Sequence, residues 1–499
     1  MEKEFKNFTK ETWFKLTLFM VFVVGGILRL IILLKSKNYS LLGDEAVMGL
    51  MAKHILELKE FPIYIWSAHY AGTLFSYFGA VYFFLFGVSS NSFRLLGLTV
   101  SLVLVVLVYK LAKKIYGYNT GLIAAALIAV PAYYILSFSE LIVGVYSEGL
   151  VFTTLILLLF CKRISEKKIS DKEVFLLSLT VGVGLWLSPF VLPVVMAMGV
   201  FLLLRFPKNL NRSIYLYAGV GFLVGYLPVI IYSIQYPTAS AFRMGARMLD
   251  IERDILLLSR QEIFLTIIKQ VLHRVALVPE FIINMPRLSL PLLGVEKSYL
   301  SGTVFKIASF GIMAIYISAI LYAINFCKAF IKKIKSWSGV EFLIIYVICF
   351  TIFYSFFVDG QKSRYLVPLI IPIVIFLAKF IVDIAKKYGK VFLLIVPFVL
   401  VYNLFTCLVS ADNPVKEYGA LTEFLIEKKI FYGYSDYWVA YPVVFESKEK
   451  VIVSPTLFTA TYDRRFEYTE KVRRAEYVAY IFDANRHGES EKKFKKKIF

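Results

Sequence analysis

An acidic pair, Asp44 and Glu45, follows the first long apolar run of the sequence, Trp13 to Leu34. A carboxylate at a membrane–water boundary can act as a general base towards an acceptor hydroxyl or amine, and it can ligate a divalent cation. An amphipathic helix is predicted to begin at Glu45, because apolar residues recur at helical spacing at Val47, Leu50, Met51, Ile55 and Leu58. The alternative for Asp44 is a structural role as the N-terminal cap of this helix.

Two histidines follow the acidic pair, at positions 54 and 69. Together with Glu45 or Glu148 they supply side-chain types that bind divalent metal ions. Their spacing matches no common ligand pattern, so the sequence leaves the need for a divalent cation open. Lys53 and Lys59 are predicted to lie on the solvent-facing side of the amphipathic helix.

An aromatic segment continues the same region with Tyr64, Trp66 and Tyr70. Such residues are typical of the aromatic belt at a membrane interface. They are also suited to stacking on a sugar ring or lining a groove for a lipid. Four residues are therefore candidates for a substrate pocket, namely His54, His69, Tyr64 and Tyr70.

Two arginines in or beside apolar runs need an explanation. Arg364 follows the turn DGQKSR at the start of an apolar run. Because a guanidinium forms paired hydrogen bonds with phosphate, Arg364, together with Lys362, is a candidate for binding a lipid phosphate. The alternative is an interfacial anchor. Arg29 lies inside the first apolar run, where a charge is costly. Without a functional role, its side chain is expected to snorkel to the outer interface.

The composition places these residues in a membrane protein. The chain is 59% hydrophobic and 18% charged, whereas soluble proteins are roughly 45–50% apolar and about 25% charged. A soluble enzyme, a fibrous protein and a disordered chain are therefore excluded. The net charge of +21 suits a nucleic-acid partner or many basic cytoplasmic loops. The second interpretation is favoured, and no nucleic-acid partner is expected, because the basic residues lie in short clusters between apolar runs.

Twelve apolar runs are present, at 13–34, 72–87, 94–112, 119–137, 146–161, 172–187, 189–205, 213–233, 303–326, 340–358, 364–382 and 390–409. If run 72–87 lies along the outer membrane face, all five basic clusters after it fall on the cytoplasmic side, as the positive-inside rule requires. We therefore predict eleven transmembrane helices, with the N-terminus cytoplasmic and the C-terminus outside.

The predicted fold is an all-α polytopic membrane domain, residues 1–410, followed by a small extracytoplasmic α/β domain, residues 411–499. The outer loops are 36–93, with two juxtamembrane helices, and 234–302. In the tail we predict helices at 414–428 and 464–475, and strands at 450–453 and 477–482. Asp436, Tyr437 and Trp438 are assigned to the fold of the tail and not to an active site.

The chain resembles the GT-C glycosyltransferases, integral membrane enzymes that use sugars linked to polyprenyl phosphate. They include dolichyl-phosphate-mannose protein mannosyltransferases and lipid A aminoarabinose transferases. The segments that carry the resemblance are DEAVMGLMAKHIL, FPIY, HYAGTLFSYFGAVYFFLFG, SRYLVPL and YGYSDYWVAYPVVF. One departure is His69 before Tyr70, where related sequences often carry Gln.

The resemblance implies that Asp44 is the general base and that Glu45 orients the acceptor or tunes Asp44. It also implies a second acidic residue in the next outer loop. Glu148 fits this role, and it fits equally a carboxylate at a helix N-terminus, whereas Glu140 is assigned a structural role.

The expected activity is inverting transfer of a hexose or pentose from a dolichyl- or undecaprenyl-type phosphate to a protein, glycolipid or glycan. The expected location is the plasma membrane, with the active site outside the cytoplasm. The alternative is a transporter or flippase of a lipid-linked sugar. Transporters usually show paired halves and ionisable groups near the bilayer midplane, and neither feature is evident in this sequence.

Overall fold

The computed structural model describes residues 2–35, 39–164, 170–204, 212–236, 260–295, 302–332, 338–357, 362–410, 418–456 and 463–483. The chain divides into two compact units. We call residues 1–32, 98–140 and 145–412 the helical unit, and residues 33–97, 141–144 and 413–499 the mixed unit.

The chain is mainly helical, as predicted. The helices before residue 411 are α1 Glu2–Lys35, α2 Gly43–Leu56, α3 Leu74–Phe86, α4 Ser90–Tyr116, α5 Tyr118–Ala129, α6 Tyr133–Glu140, α7 Ser147–Ile164, α8 Asp171–Leu187, α9 Leu192–Leu204, α10 Arg212–Gln235, α11 Arg260–Ser289, α12 Thr303–Lys332, α13 Gly339–Phe357, α14 Ile370–Tyr388 and α15 Ile395–Ser410. The helical unit is held together by one large apolar core drawn from α4 to α15.

Seven helices in the described residues are long and apolar enough to cross a membrane, or eight if the bent pair α5 and α6 forms one span. The shorter apolar helices are Leu74–Phe86, Pro189–Leu204 and Gly339–Ser355. The chain is thus a multi-pass membrane protein, while the count of eleven spans stays a prediction. The apolar run at 72–87 forms the short helix α3.

The long helix α11 was not predicted. It lies in the segment 234–302, which the sequence analysis assigned to an outer loop and which the structure describes at 234–236, 260–295 and 302. Residues Leu265–Leu293 are one of the seven candidate spans. This helix is difficult to predict from the sequence, because charged residues and two prolines, Pro279 and Pro286, interrupt its apolar pattern.

The predicted run at 119–137 is broken. Helices α5 and α6 meet at 83°, and Pro131 stands in the break, where it cannot continue the hydrogen-bond ladder. Arg29 lies inside the helical unit, 1% exposed, and donates to the carbonyl oxygens of Ala129 at 2.6 Å and Ile128 at 3.1 Å. Its Nε lies 3.4 Å from the carboxylate of Glu140. The expected snorkelling of Arg29 is therefore wrong: it binds backbone groups that the break exposes.

The mixed unit combines the first outer loop with the tail. Its strands β1 Tyr64–Ile65 and β2 Ala68–Gly72 form an antiparallel hairpin between α2 and α3. The tail contributes the helices α16 Gly419–Glu427, α17 Tyr437–Glu446 and α18 Phe466–Arg473, and the strands β3 Tyr432–Tyr434, β4 Ile452–Ser454 and β5 Ala479–Tyr480. The three strands form a parallel sheet in the order β4-β3-β5.

The two predicted tail strands correspond to β4 and β5, and the predicted helices correspond to α16 and α18, with residues 411–417 outside the described part. Strand β3 and helix α17 were not predicted. The domain boundary predicted after residue 410 differs from the compact units, in which the tail belongs together with residues 33–97. The reason is that α17 is apolar on nearly every side and packs on α2.

Candidate functional site

Asp44 lies in the first turn of α2, and the cap position belongs to Leu42. The Leu42 N–H donates to the carboxylate of Glu45 at 3.1 Å, which is the reciprocal half of a capping box. The predicted capping role of Asp44 is therefore wrong, because Glu45 satisfies the helix terminus instead. Asp44 is left available for other contacts.

One oxygen of Asp44 is held by two residues of the tail. The hydroxyl of Tyr437 donates to Oδ1 at 2.5 Å, and Nη2 of Arg464 lies 3.5 Å from the same oxygen. Among the described residues, none donates a hydrogen bond to Oδ2. The side chain of Asp44 is 42% exposed. The carboxylate is thus fixed at one oxygen and open at the other.

Tyr437 can serve only as a donor in this contact. It is 6% exposed, and burial together with the neighbouring Asp44 charge holds the pKa of its hydroxyl well above the ordinary value. The phenol therefore keeps its proton at physiological pH and donates a hydrogen bond to the carboxylate.

Glycine makes this contact sterically possible. A Cβ at Gly43 would lie 2.7 Å from the Tyr437 ring, and one at Gly49 would lie 2.8 Å from the Phe445 ring. Both distances are too short for any larger residue, so the two glycines let α17 approach α2. Asp436 fixes the start of α17, because its carboxylate accepts from the backbone N–H groups of Trp438 and Val439 at 2.6 and 3.0 Å. The structural role predicted for Asp436 is confirmed.

Glu45 is buried beside Arg94. Burial raises the pKa of Glu45, while the Arg94 charge and the Leu42 N–H act in the opposite direction. Arg94 also donates to the carbonyl oxygens of Tyr39 and Ser40 at 2.6 and 2.8 Å. These contacts anchor the chain that leads into α2, so Glu45 supports the position of Asp44.

His54 lies among four other charged side chains. We call Lys53, His54, Glu60, Glu449 and Arg465 the charge cluster. The Nδ1 of His54 lies 2.9 Å from Glu60, and its Nε2 lies 2.9 Å from Glu449. Carboxylates only accept hydrogen bonds, so both ring nitrogens carry a proton and His54 is an imidazolium. Burial alone would lower the pKa of His54, but the bonds to Glu449 and Glu60 outweigh it and raise the pKa.

The other members complete the charge cluster. Lys53 is buried and lies 2.5 Å from Glu449, so its predicted place on the solvent-facing side of the helix is wrong, whereas Lys59 is exposed. Arg465 forms a two-point contact with Glu60 at 2.7 and 2.8 Å. The pKa of Glu449 is lowered: burial acts upwards, and the bonds from His54, Lys53 and Tyr468 outweigh it. These contacts give His54 a structural role and leave it no free nitrogen for a substrate.

The remaining pocket candidates lie on or beside the β1–β2 hairpin. Tyr64, His69 and Tyr70 are all half-buried, and the rings of Tyr64 and His69 meet edge to face with centroids 6.5 Å apart. All three belong to the mixed unit, as does Asp44.

The other predicted site residues lie in the helical unit. Glu148 is fully buried in the first turn of α7 and accepts from the hydroxyl of Ser147 at 3.0 Å. Arg364 lies in a 3-10 helix, Ser363–Leu369, and donates to the Tyr365 hydroxyl at 3.1 Å. The side chain of Lys362 is exposed, and the preceding turn residues 358–361 lie outside the described part.

The described part of the chain contains no three-ligand metal site. Among the described residues, no three His, Cys, Asp or Glu side chains lie close enough together to hold an ion. Asp44 has a cationic neighbour in Arg464, and His54 has no nitrogen lone pair left for a metal ion. We therefore derive no step through a divalent cation.

Sequence reasoning missed Tyr437 and Arg464. Tyr437 was assigned to the fold of the tail, yet its hydroxyl bonds Asp44. The available signal was the segment YGYSDYWVAYPVVF, which carries part of the family resemblance and contains Tyr437. No comparable signal surrounds Arg464.

Comparison with known proteins supports the fold. Residues 71–232 match the family model described as dolichyl-phosphate-mannose-protein mannosyltransferase. No curated protein matches the chain at a significant level. Among solved structures, ArnT from Cupriavidus metallidurans bound to undecaprenyl phosphate is similar, with a TM-score of 0.58 and 12% identity, over 94% of this chain and 90% of that chain.

The archaeal oligosaccharyltransferase AglB from Archaeoglobus fulgidus, in complex with an inhibitory peptide and a dolichol-phosphate, is also similar, with a TM-score of 0.56 and 14% identity. The match covers 89% of this chain, which spans 65% of the length of that protein. The predicted resemblance to the GT-C glycosyltransferases is therefore confirmed for the fold. At these identities the likeness shows a shared fold.

Proposed function

We propose that the chain is an inverting glycosyltransferase that transfers a sugar from a polyprenyl phosphate to an acceptor outside the cytoplasm. The observation that carries the proposal is the position and exposure of the Asp44 carboxylate. Its carboxylate is held at Oδ1 by Tyr437 and Arg464, is 42% exposed, and follows the first candidate span. An open carboxylate at the membrane boundary suits proton removal from an acceptor that meets a lipid-borne donor.

In the proposed reaction, Asp44 takes the proton of the acceptor while the acceptor oxygen or nitrogen attacks the anomeric carbon. The bond between that carbon and the phosphate oxygen breaks, and its electron pair leaves with the polyprenyl phosphate. Arg364, assisted by Lys362, neutralises the leaving phosphate, because guanidinium and ammonium groups bind phosphate oxygens strongly. A single displacement inverts the configuration at the anomeric carbon.

Several roles extend this proposal. Glu45 positions the start of α2, and Glu148 is the second acidic residue of the reaction. Tyr70, Tyr64 and His69 line the substrate pocket. The similar structures contain a dolichol-phosphate and an undecaprenyl phosphate, and these ligands support a polyprenyl donor for this chain. The sugar is a hexose or pentose, and the acceptor is a protein, glycolipid or glycan.

We assign the mixed unit, including the tail, to the outside of the plasma membrane and the N-terminus to the cytoplasm. The basic clusters support this orientation through the positive-inside rule. With eleven spans, Leu265–Leu293 must lie along the outer face instead of crossing. A cysteine introduced at the exposed Glu423 of α16 should react with an impermeant thiol reagent in intact cells. Labelling only after lysis would reverse the orientation.

The proposal is tested with purified protein in liposomes. Labelled sugar on undecaprenyl phosphate or dolichyl phosphate is offered with membrane lipids and peptides as acceptors, over a panel of sugars. We expect Asp44→Asn to reduce transfer roughly 10²- to 10⁴-fold, the usual contribution of a general base. Glu423→Gln makes the same chemical change at an exposed carboxylate of the mixed unit and should retain full activity.

Equal transfer by wild type and Asp44→Asn, with matched folding and expression, would reject the base assignment. A second arm follows the labelled lipid across the bilayer of sealed vesicles. Lipid movement without sugar transfer across the whole panel would replace the enzyme with the flippase alternative.

A further inference from the structure

We infer that Tyr437 and Arg464, two residues of the tail, are positioning residues that hold Asp44 in the orientation needed for proton transfer. The inference rests on the proposed function and adds to it that the tail completes the catalytic centre. It assigns a task in the reaction to a part of the chain that the sequence analysis treated as a separate domain.

The first argument is that the two carboxylate oxygens of Asp44 have different surroundings. Tyr437 and Arg464 both contact Oδ1, and within the described ranges no hydrogen bond reaches Oδ2. A free aspartate rotates and exchanges its two oxygens, whereas a short bond from a buried phenol fixes which oxygen faces the protein. Oδ2 is then the oxygen presented to the acceptor.

The second argument is that both tail residues are themselves held rigidly. Tyr437 lies in the first turn of α17, whose start is capped by Asp436, and its ring packs against Gly43. The backbone N–H of Arg464 donates to the Tyr441 hydroxyl at 2.7 Å, and its carbonyl oxygen accepts from Ser67 at 3.3 Å. Catalytic groups need neighbours whose own conformations are locked, and the Tyr437 ring and the Arg464 backbone are held in this way.

The third argument concerns charge. Arg464 is 13% exposed and keeps its charge, because a guanidinium stays protonated in proteins. A cation 3.5 Å from Oδ1 attracts that oxygen of the carboxylate. Together with the Tyr437 hydroxyl it keeps Oδ1 turned towards the protein and leaves Oδ2 for the acceptor.

The experiment measures kcat and KM for the sugar donor, linked to undecaprenyl or dolichyl phosphate, in the liposome assay. Tyr437→Phe keeps the buried ring and removes only the hydroxyl. We expect kcat to fall roughly 10- to 100-fold, as for loss of a hydrogen bond to a charged group, with KM for the donor unchanged. Tyr434→Phe is the matched control, because it is a partly buried tyrosine of the same tail whose ring stacks on Tyr480. Arg464→Lys should retain more kcat than Arg464→Gln.

Two outcomes separate this inference from the proposed function. If Asp44→Asn is inactive and Tyr437→Phe is fully active, the positioning role is wrong and the base assignment stands. If Asp44→Asn remains active, the base assignment is wrong. The double variant should be no less active than Asp44→Asn alone, because Tyr437 acts through Asp44; a further loss would overturn the inference.

A second measurement needs no substrate. The melting temperatures of wild type, Asp44→Asn, Tyr437→Phe and the double variant form a double-mutant cycle, and residues in contact give non-additive changes. Additive changes would show that the two side chains do not interact, and would overturn the inference even without a known sugar.

Discussion

Replacing His54 by glutamine should weaken the mixed unit in a way that depends on pH. His54 is 4% exposed and bridges Glu60 and Glu449 through both ring nitrogens. Glutamine keeps polarity but not the charge. Removing one partner of a buried ion pair costs about 3–5 kcal/mol. We expect the low end, about 3 kcal/mol, because Glu449 keeps Lys53 and Glu60 keeps Arg465.

The pH dependence follows from the direction of the pKa shift. The bonds to Glu449 and Glu60 raise the pKa of His54 in the folded protein despite its burial, whereas an unfolded histidine titrates near about 6.5. The stabilisation by His54 is therefore complete below about pH 6.5 and is lost as the pH rises through the raised value. The lowered pKa values of Glu60 and Glu449 act oppositely, because their stabilisation is lost as the pH falls through those lowered values.

The assay is thermal unfolding in detergent micelles, followed by tryptophan fluorescence at a series of pH values. Trp66 is a local reporter, because its indole N–H donates to Glu60 at 3.1 Å. The gap in melting temperature between wild type and His54→Gln should be large below about pH 6.5 and should close at alkaline pH. His273→Gln, at an exposed histidine of α11, is the control. A gap that stays constant with pH would refute the imidazolium bridge.

Two further predictions concern the site. Gly43→Ala places a Cβ 2.7 Å from the Tyr437 ring and should lower transfer by displacing that ring from Asp44, whereas Gly419→Ala, which meets nothing within 4 Å, should not; equal activity of both would contradict the packing argument. Arg364→Gln should raise KM for the donor roughly 10- to 100-fold by removing a charged hydrogen-bond donor to the phosphate, with Arg364→Lys intermediate; an unchanged KM would assign Arg364 to interfacial anchoring.

The sequence predicted the features that depend on composition and short-range pattern. The long apolar runs mark α1, α4 and α10, and the helix after Asp44 begins within two residues of its predicted start. The tail strands β4 and β5 were also located. These features depend on neighbours within a few positions, so the local pattern contains them.

Elements whose form depends on distant residues were not predicted. The break between α5 and α6 exposes carbonyl groups that are satisfied by Arg29, about a hundred positions earlier, and by Asn403, which donates to the Val130 carbonyl at 2.9 Å. From the sequence alone, Arg29 resembled a costly charge in a membrane helix. Its role is evident only from the fold, in which Arg29 donates hydrogen bonds to the carbonyl groups at the helix break.

The same reasoning explains why the partners of Asp44 were missed, and why glycine is the clue to them. Asp44 and Tyr437 are separated by 393 positions, so neither periodicity nor spacing connects them. Gly49, however, lies inside a helix that is otherwise rich in larger side chains, where a glycine costs about 1 kcal/mol relative to alanine, and Gly43 is the first residue of the same helix. That cost is offset when another helix must come close, and here α17 does so at both glycines. A carboxylate next to such a glycine therefore points to a partner from a distant part of the chain.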